Sequence, residues 1–137
     1  MSDQLRAMLI RQEGLRLKPY RDSVGKLTIG VGRNLEDEGI AESEAYVMLD
    51  NDIIKHTLEA QKLPVFVMLD PVRQDVLIDM VFNMGLPRVF GFKKMLAALA
   101  ESDWEKAAAE MRDSKWAMQV GNRALELAAM IRTGEYQ

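Results

Sequence analysis

The apolar positions of this chain follow a helical period at the start, a period of two from about residue 15, and a helical period again after about residue 42. Leu5, Met8, Leu9 and Gln12 fall at helical spacing, with Ser2 or Asp3 placed to cap that helix and Gly14 placed to stop it. From Leu15 to Val31 the pattern alternates. Leu15 and Leu17 interleave with Arg16 and Lys18, then Leu27, Ile29 and Val31 with Lys26, Thr28 and Gly30. The run Asp22-Ser23-Val24-Gly25 between them has turn chemistry, so the segment is predicted to be a β-hairpin. Gly30, Gly32 and the polar run from Asn34 to Gly39 end the strand region.

Beyond Glu42 the pattern is helical throughout. Ala45, Met48/Leu49, Asp52/Ile53, His56/Thr57 and Ala60 trace one face of a long helix that stops before Pro64. Asp70-Pro71 combines an N-cap with proline at the first helical position, and opens a helix through Val72, Val76, Leu77, Met80 and Val81 to Gly85. Shorter helices are predicted near 92–100, after Ser102 or Asp103, and from Asn122 to Arg132. The expected architecture is one α+β domain. Residues 13–41 form a small β lobe, 42–62 a connecting helix, and 1–12 with 63–137 a larger helical lobe.

Composition narrows the classes. With 137 residues, 48% hydrophobic and 28% charged, the chain can bury a core without staples, and collagen-like, disordered and disulfide-scaffold readings are excluded. The absence of cysteine excludes a thiol nucleophile and a cysteine-ligated metal. A formal charge of −3 without long runs of one sign argues against a nucleic-acid partner. The amino-terminal residues through Arg11 are too polar for a signal peptide, and no stretch reaches the ~18 apolar residues a membrane span needs. Synthesis in a cytoplasm without membrane insertion is expected, so work outside it would need a separate exit route.

The densest cluster of chemical side chains at backbone irregularities is Glu13, Asp22 and Thr28. Glu13 falls in the last turn of the first helix, where outward carbonyls disfavour an anion, a setting suited to a general acid. Asp22, at the hairpin turn, lies nearer water and is expected to stay ionised. Thr28 shares a strand face with Lys26 and Gly30, and the missing side chain of Gly30 would let a ligand approach closely. Two carboxyls in unlike environments form the pattern used for glycoside hydrolysis. The same spacing also fits a solvated helix end followed by a turn.

The run Glu13-Gly14-Leu15-Arg16-Leu17-Lys18-Pro19-Tyr20-Arg21-Asp22, with Gly25 and Thr28-Ile29-Gly30-Val31-Gly32, resembles the active-site signature of phage-type lysozymes of the T-even phage kind. The resemblance continues through Met80-Val81-Phe82-Asn83-Met84-Gly85, Gly91-Phe92, Trp104-Glu105-Lys106-Ala107-Ala108, Ser114-Lys115-Trp116, Asn122-Arg123 and Arg132-Thr133-Gly134. It implies a lysozyme-like fold and a muramidase that hydrolyses the β-1,4 bond between N-acetylmuramic acid and N-acetylglucosamine in peptidoglycan. Glu13 would donate the proton to the glycosidic oxygen, Asp22 would assist from the opposite side, and Thr28 would hold the attacking water. The family is regarded as inverting, which calls for carboxyls roughly 6.5–9.5 Å apart. No cofactor or metal is required.

By the same resemblance Arg123 approaches the catalytic glutamate, Phe82 lines the cleft, and Asn83 replaces a glutamine that contacts substrate. Trp104, Trp116 and the methionines read as packing. An endolysin of this kind would be a monomer that waits in the host cytoplasm and reaches the wall in the periplasm through a holin lesion, for host lysis. The rivals are a lytic transglycosylase of the same fold and a catalytically silent peptidoglycan-binding module.

The chain also departs from the family. Asn34 to Ile40 is a short bridge where the T-even enzyme has a longer excursion. The family histidine after the glycine-rich strand is Arg33, and its acid partner falls on Asp52, so an Arg33–Asp52 ion pair is predicted. Other family substrate positions fall on Asn34, Met95 and Glu110. The acidic balance predicts weak, salt-sensitive affinity for an anionic wall. His56, the single histidine, is assigned a packing or surface role.

Overall fold

The structure, a computed structural model, describes residues 2–137. The chain divides into two compact units, the first reaching to Met48 and the second spanning Leu49–Gln137.

In the first unit, helix α1 (Asp3–Glu13) starts where the Ser2 hydroxyl accepts the N–H of Leu5 at 3.1 Å. It ends at Gly14, whose φ of +79° favours a residue without a Cβ. An antiparallel sheet follows, with β2 (Leu27–Gly30) between β1 (Arg16–Arg21) and β3 (Arg33–Asn34). The two-residue β3 is absent from the sequence expectation, because so short a strand has no period to read.

The register also departs from simple alternation. Arg16 pairs with Gly30 and Tyr20 with Thr28, so four steps along β1 match two along β2. Pro19 lies in this irregular stretch, where the ladder does not need its missing N–H. Leu15 and Leu17, which alternate with Arg16 and Lys18, are both exposed, Leu17 to 82%. Thr28, expected to share a strand face with Lys26 and Gly30, is 3% exposed on the central strand.

Helix α2 (Glu42–Ala60) begins in the first unit and ends in the second. Of its residues only Ala60 is buried, not the whole predicted face. Its apolar residues run consecutively, Tyr46 to Leu49 and Ile53-Ile54, and so wrap around the helix instead of forming one stripe.

The second unit is helical. A 3₁₀ turn (Phe66–Met68) precedes α3 (Pro71–Met84), α4 (Leu86–Phe90), α5 (Lys93–Ala100), α6 (Trp104–Arg112), α7 (Lys115–Val120) and α8 (Asn122–Thr133). Asp70, Asp103 and Ser114 cap α3, α6 and α7 by accepting N–H groups three residues on. Helices α4 and α7 are additions to the expected set, too short to show a period. Leu77, Met80, Val81, Val89, Met95, Met111 and Ile131 form the centre of an apolar core. Every buried apolar residue among the described residues lies between Ala60 and Ile131. The α+β class is therefore as expected. Among the described residues no helix is long and apolar enough to cross a membrane.

Candidate functional site

In the first unit the hairpin turn is organised around one peptide. The Asp22 N–H donates to the Lys26 carbonyl at 2.9 Å, and the Thr28 hydroxyl donates to the same carbonyl at 2.8 Å. Asp22 Oδ1 accepts the N–H groups of Val24 at 3.0 Å and Lys26 at 2.8 Å. Two of the three expected catalytic residues are thus tied through Lys26. No hydrogen bond reaches Asp22 Oδ2 among the described residues.

The short bridge after β3 closes over this turn. Glu36 Oε1 accepts from Arg21 Nη1 at 2.6 Å and from the Leu27 N–H at 3.2 Å, with Lys26 Nζ 3.8 Å from Oε2. The backbone bond from Leu27, followed by the Arg21 bond, holds the Glu36 carboxyl below the usual glutamate range. Asn34 and Asp37 bond each other, Asn34 Nδ2 to Asp37 Oδ2 at 2.9 Å and the Asp37 N–H to Asn34 Oδ1 at 3.1 Å.

Glu13, the last residue of α1, lies against the turn between β2 and β3. A Cβ placed on Gly32 would stand 2.8 Å from Glu13 Oε2. No side-chain hydrogen bond to Glu13 is formed among the described residues. A cavity of about 450 Å³ opens beside it, lined by Leu5, Arg6, Leu9, Ile10, Val31 and Gly32 together with Glu13.

Arg33 corrects one expectation. Its Nη1 and Nη2 donate to Glu44 Oε1 and Oε2 at 2.8 and 3.0 Å, a two-pronged pair, so its carboxylate partner is Glu44 instead of Asp52. Glu44 sits in the first turn of α2 and also accepts the N–H of Ala41 at 2.8 Å. A carboxylate there satisfies an orphan amide and favours the positive helix end before it meets the guanidinium.

In the second unit, Arg123 Nε donates to Asp79 Oδ1 at 2.8 Å. Asn83 Oδ1 accepts the indole N–H of Trp116 at 2.7 Å, leaving its amide nitrogen as the remaining donor. Phe82 is 41% exposed, with the ring of His56 edge-on at 5.1 Å and His56 Nδ1 2.7 Å from Glu59 Oε1. Met95, which falls on a family substrate position, is in the core, 1% exposed, in keeping with the reading of the methionines as packing. Trp116 is buried as expected, and the Trp104 ring lies under the Arg73 guanidinium at 3.8 Å.

A family model described as phage lysozyme matches residues 10–132. The chain belongs to the phage lysozyme family. It is 29% identical to a probable T4-type lysozyme of Dictyostelium discoideum, over 98% of this chain and 96% of that protein. It is 31% identical to an endolysin of Acyrthosiphon pisum secondary endosymbiont phage 1, over 96% of this chain and 90% of that protein. A pre-baseplate central spike protein of Enterobacteria phage T4 is 30% identical over 95% of this chain, which spans only 28% of that protein. The first alignment runs over 164 positions, more than the 137 residues of this chain, so that relative carries segments absent here.

Within this lysozyme-type enzyme the signature residues of the first unit lie on two supports, α1 for Glu13 and the β1–β2 hairpin for Asp22 and Thr28. Sequence reasoning missed Glu36, Glu44, Asp79 and the contact of Gly32 with Glu13. The signals for Glu36 and Glu44 were weak ones, a carboxylate in a loop short enough to fold back and one in the first turn of a helix. For Asp79 no local signal exists, because its partner lies 44 residues away.

Proposed function

We propose that this chain is an endolysin-type muramidase, hydrolysing the β-1,4 bond between N-acetylmuramic acid and N-acetylglucosamine with Glu13 as general acid. The observation that carries this reading is the unlike setting of two carboxyls in one small unit. Among the described residues Glu13 has no hydrogen-bond donor on it, whereas Asp22 Oδ1 takes two amides. A general acid needs a carboxyl that can hold and deliver a proton, and its counterpart needs a carboxylate fixed in place.

In this mechanism Glu13 protonates the glycosidic oxygen as the bond breaks. Water attacks the anomeric carbon from the other face, assisted by Asp22 through the oxygen its turn does not use, and the configuration inverts. The Thr28 proton is committed to the Lys26 carbonyl, so its oxygen can only accept. Water donating to Thr28 would turn a lone pair toward the sugar. Phe82, Asn83, Asn34 and Arg123 contact the glycan in this reading. Release from the host cytoplasm as a monomer proceeds through a holin lesion.

Glu13→Gln is expected to bind peptidoglycan without clearing it; equal clearing by wild type and variant would remove Glu13 from the role. Asp22→Asn keeps the Oδ1 acceptor that the turn needs. It should therefore retain Tm while kcat falls about 10²-fold or more. Digests analysed by mass spectrometry should carry reducing ends, and 1,6-anhydro ends would make the chain a lytic transglycosylase. An inert wild-type protein that still binds walls would be a silent binding module.

A further inference from the structure

We infer that Gly32 is a positioning residue: its bare Cα is the surface against which the Glu13 carboxyl is set. The inference rests on the role proposed above for Glu13 but adds a residue that acts through it. A Cβ on Gly32 would lie 2.8 Å from Oε2, 3.0 Å from Cδ and 3.1 Å from Cγ of Glu13, so the whole end of the side chain would be met. Gly32 also holds φ at +69°, a conformation that disfavours any side chain. Those two reasons for glycine can be separated. Gly39 has φ of +64°, yet a Cβ there would meet nothing within 4 Å.

The two positions predict different behaviour on substitution. Alanine strains the backbone alike at both. At Gly32 it also drives a methyl into the end of a flexible side chain. Such a side chain moves away at little cost to the fold, but the moved atoms are the ones that would deliver the proton. A misplacement of about 1 Å at a reacting group can reduce turnover on the order of 10²-fold. Stability and turnover should therefore part company at Gly32 and stay together at Gly39.

The experiment compares the full-length wild type with Gly32→Ala and Gly39→Ala, measuring Tm, kcat and KM on soluble peptidoglycan fragments. The carboxyl carbon resonance of Glu13 is read in glutamate-labelled protein and assigned by Glu13→Gln. Expected is an equal fall in Tm for both alanine variants, with kcat reduced about tenfold or more in Gly32→Ala alone, KM within about twofold, and the Glu13 resonance moved only there. Equal kcat in the two variants with an unmoved Glu13 resonance would overturn the inference. A moved resonance with kcat intact would support the positioning contact and overturn Glu13 as the acid.

Discussion

Among the described residues of the first unit, Thr28 alone is buried, and what holds its sheet and turns is polar. Arg21, Lys26 and Arg33 pair with Glu36, Asp37 and Glu44, and carboxylates take the N–H groups of Val24, Lys26, Leu27 and Ala41. The second unit is built the other way, on side chains such as Leu77, Met80, Met111 and Ile131 with almost no exposure. Apolar burial is insensitive to charge state and pays for ordering through area removed from water. Exposed ion pairs contribute little each and fade with salt and acid. The contrast predicts that the unit carrying Glu13, Asp22 and Thr28 opens first, and by different triggers.

The strongest way to test that contrast is to cut each unit by one apolar side chain. Leu77→Ala removes a core residue and should lower unfolding free energy by about 3 kcal/mol in denaturant titrations. Leu17→Ala, at an exposed strand position, should change it by less than about 0.5 kcal/mol. A comparable loss at Leu17 would mean that the first unit has an apolar core after all.

Arg73 forms a polar cluster inside the apolar unit. Its Nε donates to the Ile131 carbonyl at 2.7 Å and its Nη1 to Asp70 at 2.9 Å, over the Trp104 ring. Burial alone would push the Asp70 carboxyl up; the Arg73 side-chain and backbone bonds outweigh it and hold the carboxyl below its usual range. Arg73→Met keeps the apolar stem but orphans these acceptors, and should cost about 2 kcal/mol by the same titration. A neutral result would show that the guanidinium is replaceable packing.

These differences explain what the sequence could reveal. The cap at Asp70, those at Ser2 and Asp103 to within one residue, and the stop at Gly14 are legible because donor and acceptor lie within a few residues. Ser114 before Lys115-Trp116-Ala117 is an equally local cap for α7, but six residues are too few to show a helical period. Glu13, Asp22 and Thr28 were singled out from residue types at irregular backbone and from the family signature. Glu36, which takes the Leu27 amide, and Gly32, which lies against Glu13, were not, since these pairs meet only once the chain has folded. The β1 irregularity was likewise out of reach, because alternation presumes a regular register.

Acid should separate the two units. Glu36 is lowered from 4.5 by the Leu27 and then the Arg21 bond, and Glu44 by the Arg33 and then the Ala41 bond. A depressed carboxyl contributes stability that is complete above its unfolded value and is lost as pH falls through the folded one. Asp75 in the second unit has the opposite sign. Burial raises it, so its contribution is complete below 3.8 and is lost as pH rises through its folded value. Asp70, lowered, opposes Asp75 there. Amide exchange followed from neutral pH to below about 4 should therefore show Leu27 and Ala41 losing protection before Met80 and Ile131. Simultaneous loss would mean that one cooperative unit, not two, answers to acid.

The smallest effect is the most specific, because it asks which carboxylate anchors Arg33. Glu44 receives both guanidinium prongs and the Ala41 amide, so Glu44→Gln removes the charge while leaving one oxygen to accept. Exchange at Ala41 and at the Arg33 amide should accelerate severalfold, and added salt should produce the same change in wild type. Asp52→Asn should leave both amides unchanged, since neither Arg33 prong depends on it. If Asp52→Asn accelerates them instead, the anchor of the hairpin is the acid that the family pattern implied, and Glu44 serves only to cap its helix.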